Sequence, residues 1–176
     1  MSFTFLFILG FIGILLVQFL KRPILAMVND KNKIIRTLSH WAWYQNPWLA
    51  GLFIFAVNAV FFSITVFILF LLMYFLIPYL HFFVMVSAVL ISLYAWILFN
   101  KAWSGTKRDQ LIMGAVGSSF YIFLTIVFVY WFITLKPDYP GQDLFMAALG
   151  LMMAILVTTV AAITCFLFTG FSSKAK

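Results

Sequence analysis

The chain has 176 residues, of which 66% are hydrophobic and only 9% are charged, and its mean hydropathy is +1.15. A soluble domain typically carries about 25% charged residues, so this composition excludes the soluble classes and predicts an integral membrane protein with several spans. The formal net charge is +7, but the basic residues are divided among short loops, and we expect no nucleic-acid partner.

Five uncharged apolar stretches are long enough to cross a membrane as helices, since a crossing needs roughly 20 apolar residues for about 30 Å of hydrocarbon. Pro78 interrupts the longest apolar run, because proline breaks a helix, and we expect a tight helical hairpin there. The predicted fold is an all-α membrane bundle of five transmembrane helices in one domain, residues 1–176. The spans are about 3–20, 49–77, 80–100, 111–135 and 144–168.

Lysine and arginine residues fall in alternate gaps between these stretches. Ten of the eleven lie in the first loop, the third loop and the C-terminal tail, and only Lys136 lies on the other side. By the positive-inside rule, we expect the N-terminus outside and the C-terminus in the cytoplasm. A cleaved signal peptide is the alternative for residues 3–20, but no basic residue precedes this stretch and no small-residue cleavage site follows it, so we expect a retained anchor.

The first cytoplasmic loop, residues 21–48, has the pattern of a short amphipathic helix, which Asn29 or Asp30 would cap. We expect this helix to lie in the inner interface, where its cations contact anionic headgroups or an acidic partner. The simpler alternative is that these charges only fix the topology. The apolar face holds Ile34, Leu38 and Trp41. The candidate headgroup or partner contacts are Lys33, Arg36, His40, Trp41, Lys107 and Arg108.

Residues that could support catalysis or hold a metal are scarce. The chain has no glutamate, and its four aspartates all lie outside the predicted spans. His40 and His81 fall on opposite sides of the membrane, and Cys165 is the only cysteine, so one chain cannot assemble a metal or haem site from them. Ser118 and Ser119 have no base on their own span. We therefore predict no catalytic residue, no metal and no cofactor.

The short outer loop before the fifth span carries two carboxylates. Asp143 stands where it can cap the amides at the start of that span, which the helix dipole also favours. A cation or substrate site built from Asp138 and Asp143 is the alternative, and we favour the capping role.

Asn58, in the second span, is the strongest intramembrane polar candidate. Among the neutral polar side chains of the spans, its carboxamide costs the most free energy to leave unpaired in an apolar medium. We expect an interhelical hydrogen bond from Asn58. Contact with a bound solute is the alternative.

Small residues recur at three- and four-residue steps along the fifth span and form one continuous face. Such faces let helix backbones approach closely, which holds helices together in lipid. We expect this face to pack on Gly114 and Ser118 of the fourth span, or else to receive a partner subunit. The second span, rich in phenylalanine, suits lipid exposure. The candidate packing or partner face comprises Ala147, Gly150, Ala154, Thr158 and Ala161.

Two classes of function fit this pattern. The favoured one is a non-catalytic membrane subunit that binds, anchors or stabilises a larger membrane assembly. The alternative is a small carrier or substrate-capture protein for an apolar or weakly polar solute; an immunity-type protein, a lipid translocator and an enzyme rank below both. A carrier would enclose a polar-lined pocket near the midplane, whereas a scaffold would be packed solid.

The expected surroundings follow from the loops. We expect a bacterial plasma membrane because the loops are small, and the richness in Phe, Ile, Lys and Asn is consistent with an AT-rich genome. The expected partners are the anionic headgroups of the inner leaflet and another membrane protein subunit.

Overall fold

The computed structural model describes residues 32–76, 79–137 and 143–171, and these form α-helices and one 3₁₀ helix without a strand. The all-α prediction is confirmed for this part of the chain. The predicted first span, residues 3–20, and the expected caps Asn29 and Asp30 lie outside it. The helices are α1 (Lys33–His40), the 3₁₀ helix (Ala42–Gln45), α2 (Pro47–Tyr74), α3 (Leu80–Ala102), α4 (Lys107–Ile133) and α5 (Phe145–Gly170).

Helices α2 to α5 are each long and apolar enough to cross a membrane, as expected of an integral membrane protein. They correspond to four of the five predicted spans, with ends that differ by a few residues. The largest difference is at α4, which begins at Lys107 rather than at residue 111. The reason is local, because the Thr106 hydroxyl accepts a hydrogen bond from the Asp109 amide over 3.2 Å and caps the added turn.

The starts of α2 and α5 also have side-chain partners. Asn46 accepts a hydrogen bond from the Trp48 amide over 3.1 Å, and Pro47 opens α2 in the first turn, where a missing N–H costs nothing. The Asp143 carboxylate accepts from the Phe145 amide over 2.8 Å, which is the geometry of the expected capping role.

Close helix packing lies at one end of the bundle, which we name the basic end because it holds α1 and the α3–α4 loop. Glycines permit this packing. A Cβ atom on Gly51 would lie 2.6 Å from Val116 Cβ, and one on Gly114 would lie 2.7 Å from Gly170 Cα. Helix α4 therefore packs directly on both α2 and α5.

The opposite end, which holds the α2–α3 connection and is named the hairpin end, is open. In α2 no residue after Asn58 is buried, and in α3 no residue before Ala95 is buried. Tyr79, beside the connection, is 84% exposed. The expected tight hairpin is thus short in sequence, but α2 and α3 bury side chains only near the basic end.

Helix α1 and the 3₁₀ helix run along α3. The Asn32 amide donates to the Tyr94 hydroxyl over 2.9 Å, and the Ser104 hydroxyl donates to the Gln45 carbonyl oxygen over 2.8 Å. Tyr94 lies about two turns before the end of α3, and Ser104 lies just after that end. The α1 segment is therefore bound lengthwise to the protein itself.

The details of α1 correct two expectations. Its cap is Asn32, which accepts from the Ile34 amide over 3.0 Å. Its buried side holds Ile35 and Leu38, whereas Ile34 and Trp41 are exposed. The expected apolar face is therefore divided, because Leu38 faces the protein rather than the surroundings.

Candidate functional site

Asn58 is fully buried and joins the long apolar helices α2 to α5. Its carboxamide nitrogen donates to the Gly117 carbonyl of α4 over 3.1 Å and to the Cys165 sulfur of α5 over 3.5 Å. Its oxygen accepts from the Trp96 indole nitrogen of α3 over 2.9 Å. One side chain of α2 thus uses both donors and an acceptor on three different helices, and this arrangement leaves little capacity for a solute.

Two further amide side chains, those of Asn100 and Gln110, bind the C-terminal end of α5. Asn100 donates to the carbonyls of Phe168 over 2.6 Å and Phe171 over 2.9 Å, and Gln110 donates to the Thr169 carbonyl over 3.3 Å. The last carbonyls of a helix have no partner within that helix. Side chains from α3 and α4 therefore supply the C-terminal cap of α5.

The sequence interpretation did not single out Asn100 or Gln110. In the sequence, each of these residues is an uncharged amide at the basic end of a predicted span, next to a loop, and this was the only available sign of a structural role. Their partners are backbone carbonyls 59 to 71 residues away along the chain. No local pattern reports such partners.

The buried hydroxyl groups are hydrogen-bonded as well. The Thr158 hydroxyl donates to the Ala154 carbonyl of its own helix over 2.8 Å. The single proton of the Thr125 hydroxyl can go either to the Tyr121 carbonyl over 2.8 Å or across to the Thr158 oxygen of α5 over 2.9 Å. In the described ranges, every buried side-chain nitrogen or oxygen atom has a hydrogen-bond partner. The buried amides thus connect helices, whereas buried hydroxyls such as those of Ser118 and Thr169 donate to carbonyls of their own helix.

The predicted small-residue face of α5 is divided along its length. Thr158 is buried against α4, and Ala154 and Ala161 are half-buried. Ala147 and Gly150, nearer the hairpin end, are exposed, and a Cβ atom on Gly150 would meet nothing within 4 Å. Among the helices that the structure describes, only the last part of the face is covered by a neighbour.

The predicted cations lie in two places at the basic end. Lys33, Arg36 and His40 are exposed on α1, and Lys107 and Arg108 are exposed at the start of α4. The rings of Trp41 and Trp43 are 5.4 Å apart and both side chains are exposed, as is Trp48. Exposed tryptophan beside lysine and arginine is typical of a membrane interface.

Tyr44 fixes the 3₁₀ helix to α3. Its side chain is fully buried, and its hydroxyl donates to the Phe99 carbonyl over 3.0 Å. Burial raises the pKa of Tyr44 above the usual value for tyrosine. The neutral phenol is therefore the form that the folded protein retains.

A groove of about 510 Å³ lies between α4 and α5. Its walls are almost wholly apolar, because the Ser118 and Thr159 hydroxyls near it donate to carbonyls of their own helices. A smaller groove of about 240 Å³ follows α3 at Met85, Val86, Val89 and Leu90. The larger groove is lined by residues that include Ala115, Ser118, Ile122, Thr159, Ala162 and Ile163.

Within the described part of the chain, no group of three or more His, Cys, Asp or Glu side chains could hold a metal ion. No protein-family model, curated protein or solved structure matches this chain. Function is therefore inferred from the residues and their geometry alone.

Proposed function

We propose that this chain is a non-catalytic integral membrane subunit that binds, anchors or stabilises a larger membrane assembly. The observation that carries the proposal is the contrast between the two ends of the bundle. At the basic end the buried polar groups are bonded to one another and the helices are in close contact. At the hairpin end α2 and α3 bury no side chain within the described residues. A rigid base with open helix faces suits binding to other helices.

The partner face that we propose is centred on Ala147 and Gly150 of α5. Small residues let another helix backbone come close, which is the main source of helix association in lipid. Gly114 has this role within the protomer, where Gly170 lies against it. Among the described residues, nothing lies within 4 Å of a Cβ atom placed on Gly150, and the partner that we propose for this surface is a transmembrane helix of another subunit.

The proposed setting is the plasma membrane of a bacterium, with five spans, the N-terminus outside and the C-terminus in the cytoplasm. In this orientation the cations of α1 and α4 face the anionic headgroups of the inner leaflet. Exposed Ile34 and Trp41 lie beside those cations and support contact with the interface. Because α1 is bound along α3, the headgroups would meet its outer side.

A carrier for an apolar or weakly polar solute is the second candidate. The observation in its favour is the groove between α4 and α5. The observation against it is that Asn58, the candidate for contact with a solute, already makes three interhelical hydrogen bonds.

A photo-crosslinker at Met146 tests the partner face, because Met146 is 74% exposed and lies one turn from Gly150. We expect a cross-link to one membrane protein of defined mass. Gly150→Leu should abolish it, since a branched side chain prevents close approach, and Gly150→Ala should retain it. A cross-link that survives Gly150→Leu, or lipid as the only product, would contradict the proposal.

A further inference from the structure

The groove between α4 and α5 has the dimensions of a site for one apolar chain. Its α4 wall runs from Ala115 to Ile126, which is about 16 Å along the helix axis. Ligand sites commonly have volumes of about 300 to 1,000 Å³, and the groove has about 510 Å³. It is open along its length, so a ligand could enter it from the surrounding lipid.

The chemistry of the walls selects an apolar occupant. The Thr125 hydroxyl donates to the Tyr121 carbonyl over 2.8 Å, and the Ser118 hydroxyl donates to the Ala115 carbonyl over 3.1 Å. Thr159 donates to the Ile155 carbonyl in the same manner. With these donors used locally, the groove presents methyl and methylene groups, which suit a hydrocarbon chain.

Two cationic side chains, Lys107 and Arg108, lie on α4 beyond the basic end of the groove. At about 100° per residue, Arg108 lies about 20° from Ala115 around α4, and Lys107 lies about 80° away on the side of Ser118. Both side chains are exposed, and Arg108 is about 10 Å below Ala115 along the axis. Asp109 lies about 120° from Ala115 and accepts from the Thr106 hydroxyl over 2.7 Å, so it does not neutralise this sector.

We infer that this groove binds one acyl chain of an anionic phospholipid, whose phosphate contacts Lys107 and Arg108. Arginine and lysine at such a position bind phosphate through charge-assisted hydrogen bonds. The order along α4, with cations at the end of the helix and an apolar groove deeper in the membrane, matches the order of headgroup and chain in a lipid. This inference is independent of the subunit function proposed above.

A protein segment could also fill the groove, either the predicted first span or a second copy of the chain. Charge repulsion disfavours both. The predicted first span, residues 3–20, is followed directly by Lys21 and Arg22, which would meet Lys107 and Arg108 with the same sign. A symmetric second copy would bring its own Lys107 and Arg108 to the same place. An anionic headgroup is the occupant that removes this repulsion.

Native mass spectrometry of the full chain in detergent tests the inference with dioleoyl phosphatidylglycerol and dioleoyl phosphatidylcholine as probes. We expect one phosphatidylglycerol to bind more tightly than phosphatidylcholine. The double variant Lys107→Gln, Arg108→Gln should weaken phosphatidylglycerol binding about 25-fold, since each cation contributes about fivefold near an anionic group. The control variant Lys136→Gln removes an exposed cation beyond the opposite end of α4 and should leave this binding unchanged.

The apolar part of the site has its own variant. Ala115→Phe should fill the groove and weaken both lipids, because Ala115 is exposed and a larger side chain there projects into the groove. Ala56→Phe places the same side chain at an exposed position of α2, which does not line the groove, and should change neither affinity. Equal wild-type affinity for the two lipids, or unchanged binding in Ala115→Phe, would overturn the inference.

Cysteine cross-linking on a Cys165→Ala background separates lipid from a protein occupant. Ile122→Cys lies in the groove and is 49% exposed in the wild type. Oxidation should produce neither a dimer through Ile122→Cys nor a bond between Ile122→Cys and Ile12→Cys. Either product would show that the groove holds a second copy or the predicted first span, and would overturn the lipid assignment.

Discussion

The Asn58 carboxamide oxygen accepts a hydrogen bond from the Trp96 indole nitrogen over 2.9 Å, and neither side chain is more than 4% exposed. In a medium without water, each partner would otherwise leave a polar atom unpaired. The pair therefore fixes the register of α2 against α3, while the Asn58 nitrogen fixes both against α4 and α5. The helices are held together at one level by a neutral network.

The first prediction concerns this network. Asn58→Leu keeps a similar volume but removes three interhelical hydrogen bonds, and it leaves the Trp96 nitrogen without its acceptor. We expect a loss of about 1 to 3 kcal/mol in the free energy of unfolding, measured by circular dichroism in mild detergent.

The matched control is Thr159→Val, because the Thr159 hydroxyl is exposed and bonds only its own helix. It should leave stability nearly unchanged. A double-mutant cycle between Asn58→Leu and Trp96→Phe should show coupling. Additive losses would mean that the 2.9 Å contact contributes nothing of its own.

The second prediction ranks the two amides that cap α5. Asn100→Leu should destabilise the protein more than Gln110→Leu, because Asn100 makes two hydrogen bonds of 2.6 and 2.9 Å and Gln110 makes one of 3.3 Å. Hydrogen exchange should rise at the end of α5, around residues 168–171, in Asn100→Leu. Unchanged exchange there would argue against a capping role for Asn100.

The third prediction is a pH dependence from Tyr44. Its pKa is raised in the folded state by burial, so the folded protein disfavours the phenolate. Its contribution is complete below the unfolded pKa of about 10 and is lost as pH rises toward the folded pKa, by up to about 1.4 kcal/mol per unit.

Tyr44→Phe isolates this contribution from the titration of lysines. At pH 8 the variant should be less stable than wild type by about 1 kcal/mol, because the hydrogen bond to Phe99 is lost. Between pH 10 and 11 its melting temperature should fall less steeply than that of wild type. Parallel curves would show that Tyr44 ionises without a folding cost.

The fourth prediction is the topology. On a Cys165→Ala background, single cysteines at Lys33 and Lys107 should be shielded from an impermeant maleimide in intact cells, and one at Asp138 should react. Lys33 and Lys107 are both exposed, so shielding reports the membrane rather than burial. Labelling of Lys33→Cys in sealed cells would reverse the proposed orientation.

The spanning helices could be predicted from the sequence because length and the absence of charge are local properties. Their ends moved by a few residues where a side chain such as Thr106 supplied a cap. The cap of α1 moved to Asn32, whose amide also reaches Tyr94 on α3. That second bond joins residues 62 positions apart, and no local pattern reports it.

The functional surfaces were harder to predict, since they depend on which faces the fold closes. Gly114 and Gly150 look alike in the sequence, as glycines on small-residue faces. In the structure Gly170 lies against Gly114, whereas none of the described residues lies against Gly150. Asn58 could be selected from the sequence because an unpaired carboxamide costs free energy in an apolar medium. Its three hydrogen-bond partners could not be predicted in this way.

The mass and melting temperature of the complex purified in mild detergent test the central claim, which is that Gly150 receives a partner subunit. We predict a wild-type assembly heavier than the 20.2 kDa protomer. Gly150→Leu should release the protomer with an unchanged melting temperature, and Gly150→Ala should keep the assembly. Gly114→Ala, the control at a closed glycine, should lower the melting temperature through overpacking of about 1 to 3 kcal/mol. A wild-type protein that runs as an isolated protomer, or a Gly150→Leu assembly of unchanged mass, would contradict the account.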